Sequence, residues 1–146
     1  MQLTLLQPDR ADVLKPPSLA DLNILSHFIP RQQFRTLLSN TKGEEGPYFK
    51  SLLEGLSSTI RTMAKTYDQD GLGSDSIVHL HYFHGGSDWW ITEKDKTGVG
   101  TIQAFGYVDL GYGGEWGYIS INELVDTEIE LDLHWVPKPQ KECLKD

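Results

Sequence analysis

The sequence predicts an α+β fold, in which N-terminal helices pack on one face of a five-stranded, mainly antiparallel sheet. Three observations carry that expectation. Apolar residues of the first half recur at steps of three and four, the period of a helix face. After residue 76 they alternate with polar residues, the period of a strand. Between the two regimes lies DQDGLGSDS, a glycine- and aspartate-rich stretch that reads as a flexible hinge. A chain of 146 residues has the size of one domain with one core. The organisation expected is therefore a single domain over 1–146: mainly helical to 67, hinge at 68–76, sheet at 77–137 and tail at 138–146.

Taken in order, LTLL at 3–6 reads as an edge strand and residues 9–17 as linker. Ser18 is placed to cap the segment LADLNILSHFI, because its hydroxyl can accept from an unpaired amide of the first turn. Pro30 restarts the chain after that segment, and Phe34, Leu37 and Leu38 give RQQFRTLLSN a helical stripe; two short helices and one kinked helix fit equally. TKGEEG at 41–46 is a loop into Pro47, a favoured first-turn residue. From there Phe49, Leu52, Leu53, Leu56, Ile60, Met63 and Tyr67 form the strongest helical stripe of the chain. Gly55 within it costs about 1 kcal/mol relative to alanine, which points to close packing against a neighbour.

Five strands are read in IVHLHYF (77–83), DWWITEK (88–94), TIQAFGYVDL (101–110), EWGYIS (115–120) and EIELDLHWV (128–136). HGGS and DKTG are short glycine-bearing connectors, so the first three strands form a meander. Ser120 with Glu123 resembles a capping box opening one helical turn.

Composition narrows the function. With 38% hydrophobic and 23% charged residues the chain is ordinary for a soluble globular protein. It holds no apolar run near the ~20 residues that span a bilayer, and its start lacks the features of a signal peptide, so no membrane association and a cytoplasmic location are expected. Cys143, the only cysteine, reads as a spectator thiol. Residues 1–67 hold 8 basic and 6 acidic side chains, whereas residues 68–146 hold 5 and 15. No Lys or Arg occurs from 97 to 137, where Asp109, Glu115, Glu123, Asp126, Glu128, Glu130 and Asp132 fall. Direct nucleic-acid binding needs bases to neutralise phosphate and is not expected; a basic protein partner or a cation would be attracted.

Alternation sorts the side chains by face. Ile129, Leu131, Leu133 and Trp135 alternate with Glu128, Glu130, Asp132 and His134, and Val78, Leu80 and Tyr82 with His79 and His81, so one face is core and the other polar. His79 with His81 and Asp132 with His134 have metal-ligand spacing. That spacing is equally common on solvated strands, and no metal or cofactor is expected. A calcium loop beginning at Asp68 fails because position 79, where a glutamate is needed, is His. Ser87 in GGSD is not a nucleophile elbow. Gly111, Gly113 and Gly117 hint at a phosphate cradle, but strand comes after them and acids flank them, so they read as positive-φ turn residues that also make room for rings. Trp89, Trp90, Tyr107, Tyr112, Trp116 and Tyr118 crowd this end of the sheet, and the adjacent tryptophans cannot both face the core. The candidate binding surface is Trp90, Glu93, Asp109, Tyr112, Glu115, Trp116, Glu130, Asp132 and His134, an acidic, aromatic patch of protein-binding composition. The alternative is a small-ligand- or metal-binding enzyme site at Glu93, Asp109, Glu115, Asp132 and His134. A third reading gives these residues to the fold, with Glu93 and Asp132 bonding backbone amides and Glu123 completing a cap.

The ordered segments WWITE (89–93), AFGYVDLGYGGEWGYISINEL (104–124) and IELDLHW (129–135) resemble the bacterial family called domain of unknown function 2958. The resemblance spans residues 77–137, and RQQFRTLLSN is similar to the family's opening helix. It puts Thr92, Glu93, Phe105, Gly106, Asp109, Gly111, Gly113, Glu115, Gly117, Tyr118, Glu123, Leu124, Asp132 and His134 at motif positions. Trp116 stands where the family has leucine, and Leu131 where it has arginine, so no ion pair from that arginine forms here. The resemblance implies an accessory protein of mobile elements or phages, with anti-defence action on a host protein and no established reaction.

Overall fold

The structure is a computed structural model that describes residues 17–144. The strand expected at 3–6 and all but the end of the linker at 9–17 lie outside the described residues.

Helix α1 (Leu19–Phe28) starts at a capping box: Ser18 Oγ accepts from the Asp21 amide at 3.1 Å, and the Asp21 carboxylate accepts from the Ser18 amide at 3.2 Å. The same carboxylate is buried against a second helix, where Ser57 Oγ donates to it at 2.8 Å and Arg61 Nη1 lies 2.7 Å away. These bonds, led by that from Ser57, hold the Asp21 carboxyl below its ordinary range against the opposing effect of burial. Pro30 separates α1 from α2 (Arg31–Asn40), so the chain forms two short helices here. Helix α3 (Gly46–Thr62) comes next, with Pro47 in its first turn.

The helical stripe ends sooner than its periodicity predicts. Met63 is extended, and Tyr67 adopts a left-handed φ of 74° outside the helix. The competing partner is Lys94: its amide donates to Ala64 O and its carbonyl accepts from the Thr66 amide, both at 2.9 Å, so residues after 63 lie alongside it as extended chain. Lys94 Nζ also donates to Ile60 O at 2.6 Å, a cation closing the C-terminal end of α3. Gly55 differs too, because it is exposed and a Cβ there would meet nothing within 4 Å.

Strands β1 (Ile77–Val78), β2 (Leu80–His84), β3 (Ser87–Glu93), β4 (Ala104–Asp109) and β5 (Gly114–Ile119) precede helix α4 (Ile121–Asp126), strand β6 (Glu130–Leu131), strand β7 (Lys138–Pro139) and the helical turn α5 (Gln140–Cys143). The main sheet is antiparallel with the order β5-β4-β3-β2-β6, and β1 pairs separately with β7. The Gly85-Gly86 turn, with Gly85 at φ 57°, sets the β2–β3 register. Leu80, Tyr82, Ile91, Ala104, Ile119 and Leu131 point to the helices and share one core with Leu25, Phe28, Leu53 and Ile60. Tyr82 is fully buried, and its hydroxyl donates to Phe28 O at the end of α1, which stitches sheet to helix layer. Burial pushes its phenol far above the ordinary tyrosine range.

Three further expectations are corrected. The strand expected over 128–136 is only two residues long. Tyr82 pairs with Leu131 and Val78 with Lys138, so the three residues 79–81 oppose the six residues 132–137, and three extra residues loop out. Asp132 directs that loop, since its Oδ1 accepts from the His134 amide at 3.0 Å and closes a turn. The expected hinge at 68–76 is fastened rather than free: Gln69 is buried, its amide nitrogen donating to Ile77 O and Thr92 O and its oxygen accepting from the Ile77 amide. The expected tail is likewise attached, through the β1–β7 pair and a Lys141–Asp75 ion pair at 2.6 Å. Among the described residues no helix is long and apolar enough to cross a membrane.

Candidate binding surface

The sheet face away from the helices is built by the same alternation that builds the core. Opposite the buried positions, register aligns His81, Trp90, Tyr107 and Trp116 in one row across β2, β3, β4 and β5. The rings touch in sequence. His81 stacks on Trp90 at 5.3 Å between centroids, Trp90 meets Tyr107 at 5.9 Å, and Tyr107 meets Trp116 edge to face at 5.1 Å. Phe83 and Trp135 flank His81, while Phe105 and Tyr118 continue the surface beyond Trp116. Gly114 is needed for this ladder, because a Cβ there would collide with the Tyr107 ring. Gly111 and Gly113 take φ of 103° and 102° in the β4–β5 turn, as the sequence predicts for a hairpin, whereas Gly117, expected with them, lies inside β5 opposite Gly106 without a positive φ.

Acids line one end of the ladder. Asp88 and Asp109 stand directly opposite each other on β3 and β4, a placement of like charges that costs stability. Asp88 Oδ1 is 2.8 Å from His81 Nε2, and Asp132 Oδ2 is 3.0 Å from His81 Nδ1. Each ring nitrogen of His81 thus faces one carboxylate oxygen, which fixes the ring between Asp88 and Asp132. Asp109 Oδ1 accepts from the Gly111 amide at 2.8 Å. Among the described residues no Lys or Arg pairs with Asp88, Asp109 or Asp132.

The opposite end of the ladder opens into a cavity of about 270 Å³ whose walls include Tyr67, Glu93, Phe105, Trp116 and Tyr118. A bulge places Glu93 here. Trp89 and Ile91 face the core, and strict alternation would send Glu93 the same way. The register slips between Ile91 and Glu93, however, so that Glu93 pairs with outward-facing Phe105. Its two carboxylate oxygens accept from the Tyr67 and Gln69 amides, each at 2.9 Å, and the side chain is buried. The Tyr118 phenol is raised above its ordinary range, first by the neighbouring Tyr67 hydroxyl and further by burial and the charges of Asp70 and Glu93.

The residues expected at the site are thus divided. Trp90, Asp109 and Trp116 lie on the open face, and Asp132 joins them through His81. Tyr112 stands 94% exposed at the hairpin tip. Glu115 is exposed but pairs with inward-facing Val108, on the opposite side of edge strand β5 from Trp116. Glu130, exposed on edge strand β6, pairs with Phe83 and therefore lies on the same open face, while also bordering a cleft against α2. His134 is exposed in the loop after Asp132 and approaches none of the others through a side-chain bond. Of His79, His81, Asp132 and His134, only His81 and Asp132 meet. His79 Nε2 instead accepts from the Ala64 amide at 3.3 Å. Burial, and secondarily the Lys94 charge, lowers its basicity. Among the described residues no three His, Cys, Asp or Glu side chains converge as a metal site. Glu93 and Asp132 bond backbone amides, and Ser120 caps α4 through the Glu123 amide at 3.1 Å, but the Glu123 side chain makes no return bond, so the expected box is only half formed.

Asp88 and Tyr67 carry no sequence signal that marks them for the site, Phe105 is marked only as a motif position of the resemblance, and nothing in the composition singles out His81 as a hub. One signal does exist for His81: a two-residue Gly85-Gly86 turn between His84 and Ser87 fixes His81 opposite Trp90. No family model matches the chain, and no curated protein or solved structure matches it either.

Proposed function

We propose that this is a non-enzymatic accessory protein that captures a basic segment of a host protein on its open sheet face. The observation carrying the reading is the Asp88–Asp109 pair beside the Trp90–Tyr107 rings. An arriving Arg or Lys side chain relieves the repulsion between the carboxylates and lays its charge or stem on an aromatic face. Exposed rings bounded by acids supply the anchors and the charge selection that protein interfaces use. The separation of Glu93, Asp109, Glu115 and His134 favours surface recognition over the alternative of one enzymatic pocket at these residues. The resemblance to the domain of unknown function 2958 family extends the proposal to a mobile element or phage setting. There an acidic surface imitating DNA charge acts against a basic host defence or replication protein.

The test is titration of an arginine-rich peptide into isotopically labelled protein. Backbone and indole signals of Asp88, Trp90, Tyr107 and Asp109 are expected to shift together, and affinity to fall as salt rises. The double substitution Asp88→Asn and Asp109→Asn is expected to weaken binding about tenfold. Shifts confined to the helices, or affinity indifferent to the double substitution, overturn the proposal.

A further inference from the structure

We infer that the cavity at the far end of the aromatic ladder is a cage for an alkylated ammonium group, such as a trimethylated lysine side chain of the partner. The inference rests on the basic-partner reading and specifies what the second end of the surface receives.

The walls supply the argument. The Phe105 and Trp116 rings lie within 12° of parallel, whereas Tyr118 stands at 78° to Phe105, so two ring planes meet near a right angle. Tyr67 also lines the cavity from the loop, where the Glu93 bond to its amide and its left-handed φ fix its backbone. A corner of ring faces suits a rounded onium ion, which presents methyl groups in every direction, better than a flat guanidinium, which favours parallel sandwiching.

Charge agrees with shape. Asp70 and Glu93 border the cavity, and both Glu93 oxygens already accept backbone bonds, so Glu93 contributes a fixed negative field rather than a free hydrogen-bonding arm. An alkylated ammonium, with few or no N–H donors, asks for field and contact and needs no acceptor. Lys96, which does not line the cavity, holds its Nζ 5.2 Å from the centre of the Tyr67 ring, so one positive charge partly offsets the field of Asp70 and Glu93. Size agrees as well. A cavity of about 270 Å³ is at the lower end of the ~300–1,000 Å³ of small-ligand pockets, room for one head group rather than a length of peptide.

The experiment uses the full chain and three probes: tetramethylammonium, its neutral isostere tert-butanol, and guanidinium, each monitored by tryptophan fluorescence and by chemical shifts. Tetramethylammonium is expected to bind saturably in the millimolar range, shifting Tyr67, Phe105, Trp116 and Tyr118, with guanidinium weaker and tert-butanol without saturation. Trp116→Ala is expected to weaken it tenfold or more, and Asp70→Asn, at an exposed position outside the folding core, about threefold. Equal binding of tert-butanol, preference for guanidinium, or no saturation by tetramethylammonium would refute the cage. Failure of the basic-partner reading is read separately, because the arginine-rich peptide reports at Asp88, Trp90 and Asp109 at the other end of the ladder.

Discussion

The two faces of one sheet obey one alternation and fill it with different chemistry. Toward the helices stand Leu80, Ile91, Ala104, Ile119 and Leu131, none more than 5% exposed. Away from them stand rings that keep contact with water: Phe83 at 37%, Trp116 at 41% and Tyr118 at 55%. Aliphatic side chains gain only from exclusion of water, so they need the helices as a cover. Rings gain from each other edge to face and retain polar faces and rims, so a row of them holds together uncovered and still offers a surface to a ligand. Stability and recognition are therefore expected to separate across the thickness of a single sheet.

The largest effect tests that separation directly. Ile91→Ala, in the covered face, is expected to cost about 2–5 kcal/mol, the range for emptying a packed site, which is a large share of the ~5–15 kcal/mol that holds a domain folded. Trp116→Ala, two strands away on the open face, is expected to cost only about 1–2 kcal/mol in lost ring contacts. Urea unfolding with unchanged m-values measures both; equal losses would show that the open face is as much a part of the core as the covered one.

Glu93 stands where the two faces exchange roles, so its substitution is expected to be next in size. Glu93→Gln keeps one good acceptor for two buried amides and removes the charge, an expected loss of about 1–3 kcal/mol. The loss is local in origin. Amide exchange at Tyr67 and Gln69 is expected to accelerate far more than at Ile91, while uniform acceleration would mean that the bulge supports the whole sheet rather than the loop.

Much of the architecture is legible in the residues themselves, and the failures share one cause. Strands β2 to β5, the Pro30 break, the Ser18 and Ser120 caps and the turn glycines Gly111 and Gly113 follow local patterns, whereas the strand expected over 77–83 is split at His79 between two sheets. The bulge at Glu93, the loop at Asp132 and the early end of α3 are decided by partners distant in the chain: Gln69 and Phe105 for Glu93, His81 for Asp132, Lys94 for the residues after Met63. Periodicity reports which way a side chain points only while the register is regular, and these three places are where it is not. The open face is half legible for the same reason. Its composition is evident, but its centre on His81 requires counting across the Gly85-Gly86 turn.

The helix layer responds to acid through Asp21, and His79 beside it responds at higher pH. Asp21 has a folded value below its unfolded 3.8, so the stability it contributes is complete above that value and is lost as pH falls through the lower, folded one. His79 is also depressed from 6.5, which makes the neutral ring the form the fold prefers; its contribution is complete above 6.5 and declines as pH falls below it. Stability against pH is expected to decline in two steps, the first abolished by His79→Phe and the second reduced by Asp21→Asn, with the remainder due to Asp95, which bonds from Thr97 and Gln103 also hold below its ordinary range. A profile unchanged by either substitution would contradict the assignment.

The smallest expected effect is a gain. Gly55 lies inside α3, on the helix layer, where the sequence predicts a neighbour pressed against it. A Cβ there meets nothing within 4 Å and φ is not left-handed, so neither space nor backbone requires glycine. Gly55→Ala removes the excess freedom of the unfolded chain and is expected to stabilise by about 1 kcal/mol, raising the melting temperature by a few degrees. The covered face gains while the open face is untouched, so peptide and tetramethylammonium affinities are expected to stay within a factor of two. Gly55 borders the cleft formed by Tyr48, Leu52, His79 and Trp135. If the alanine instead lowered stability, or disturbed either affinity, that cleft would have to be linked to the ligand face through His79 or Trp135, and the separation of the two faces would fail at the one edge where the helix layer and the ladder come together.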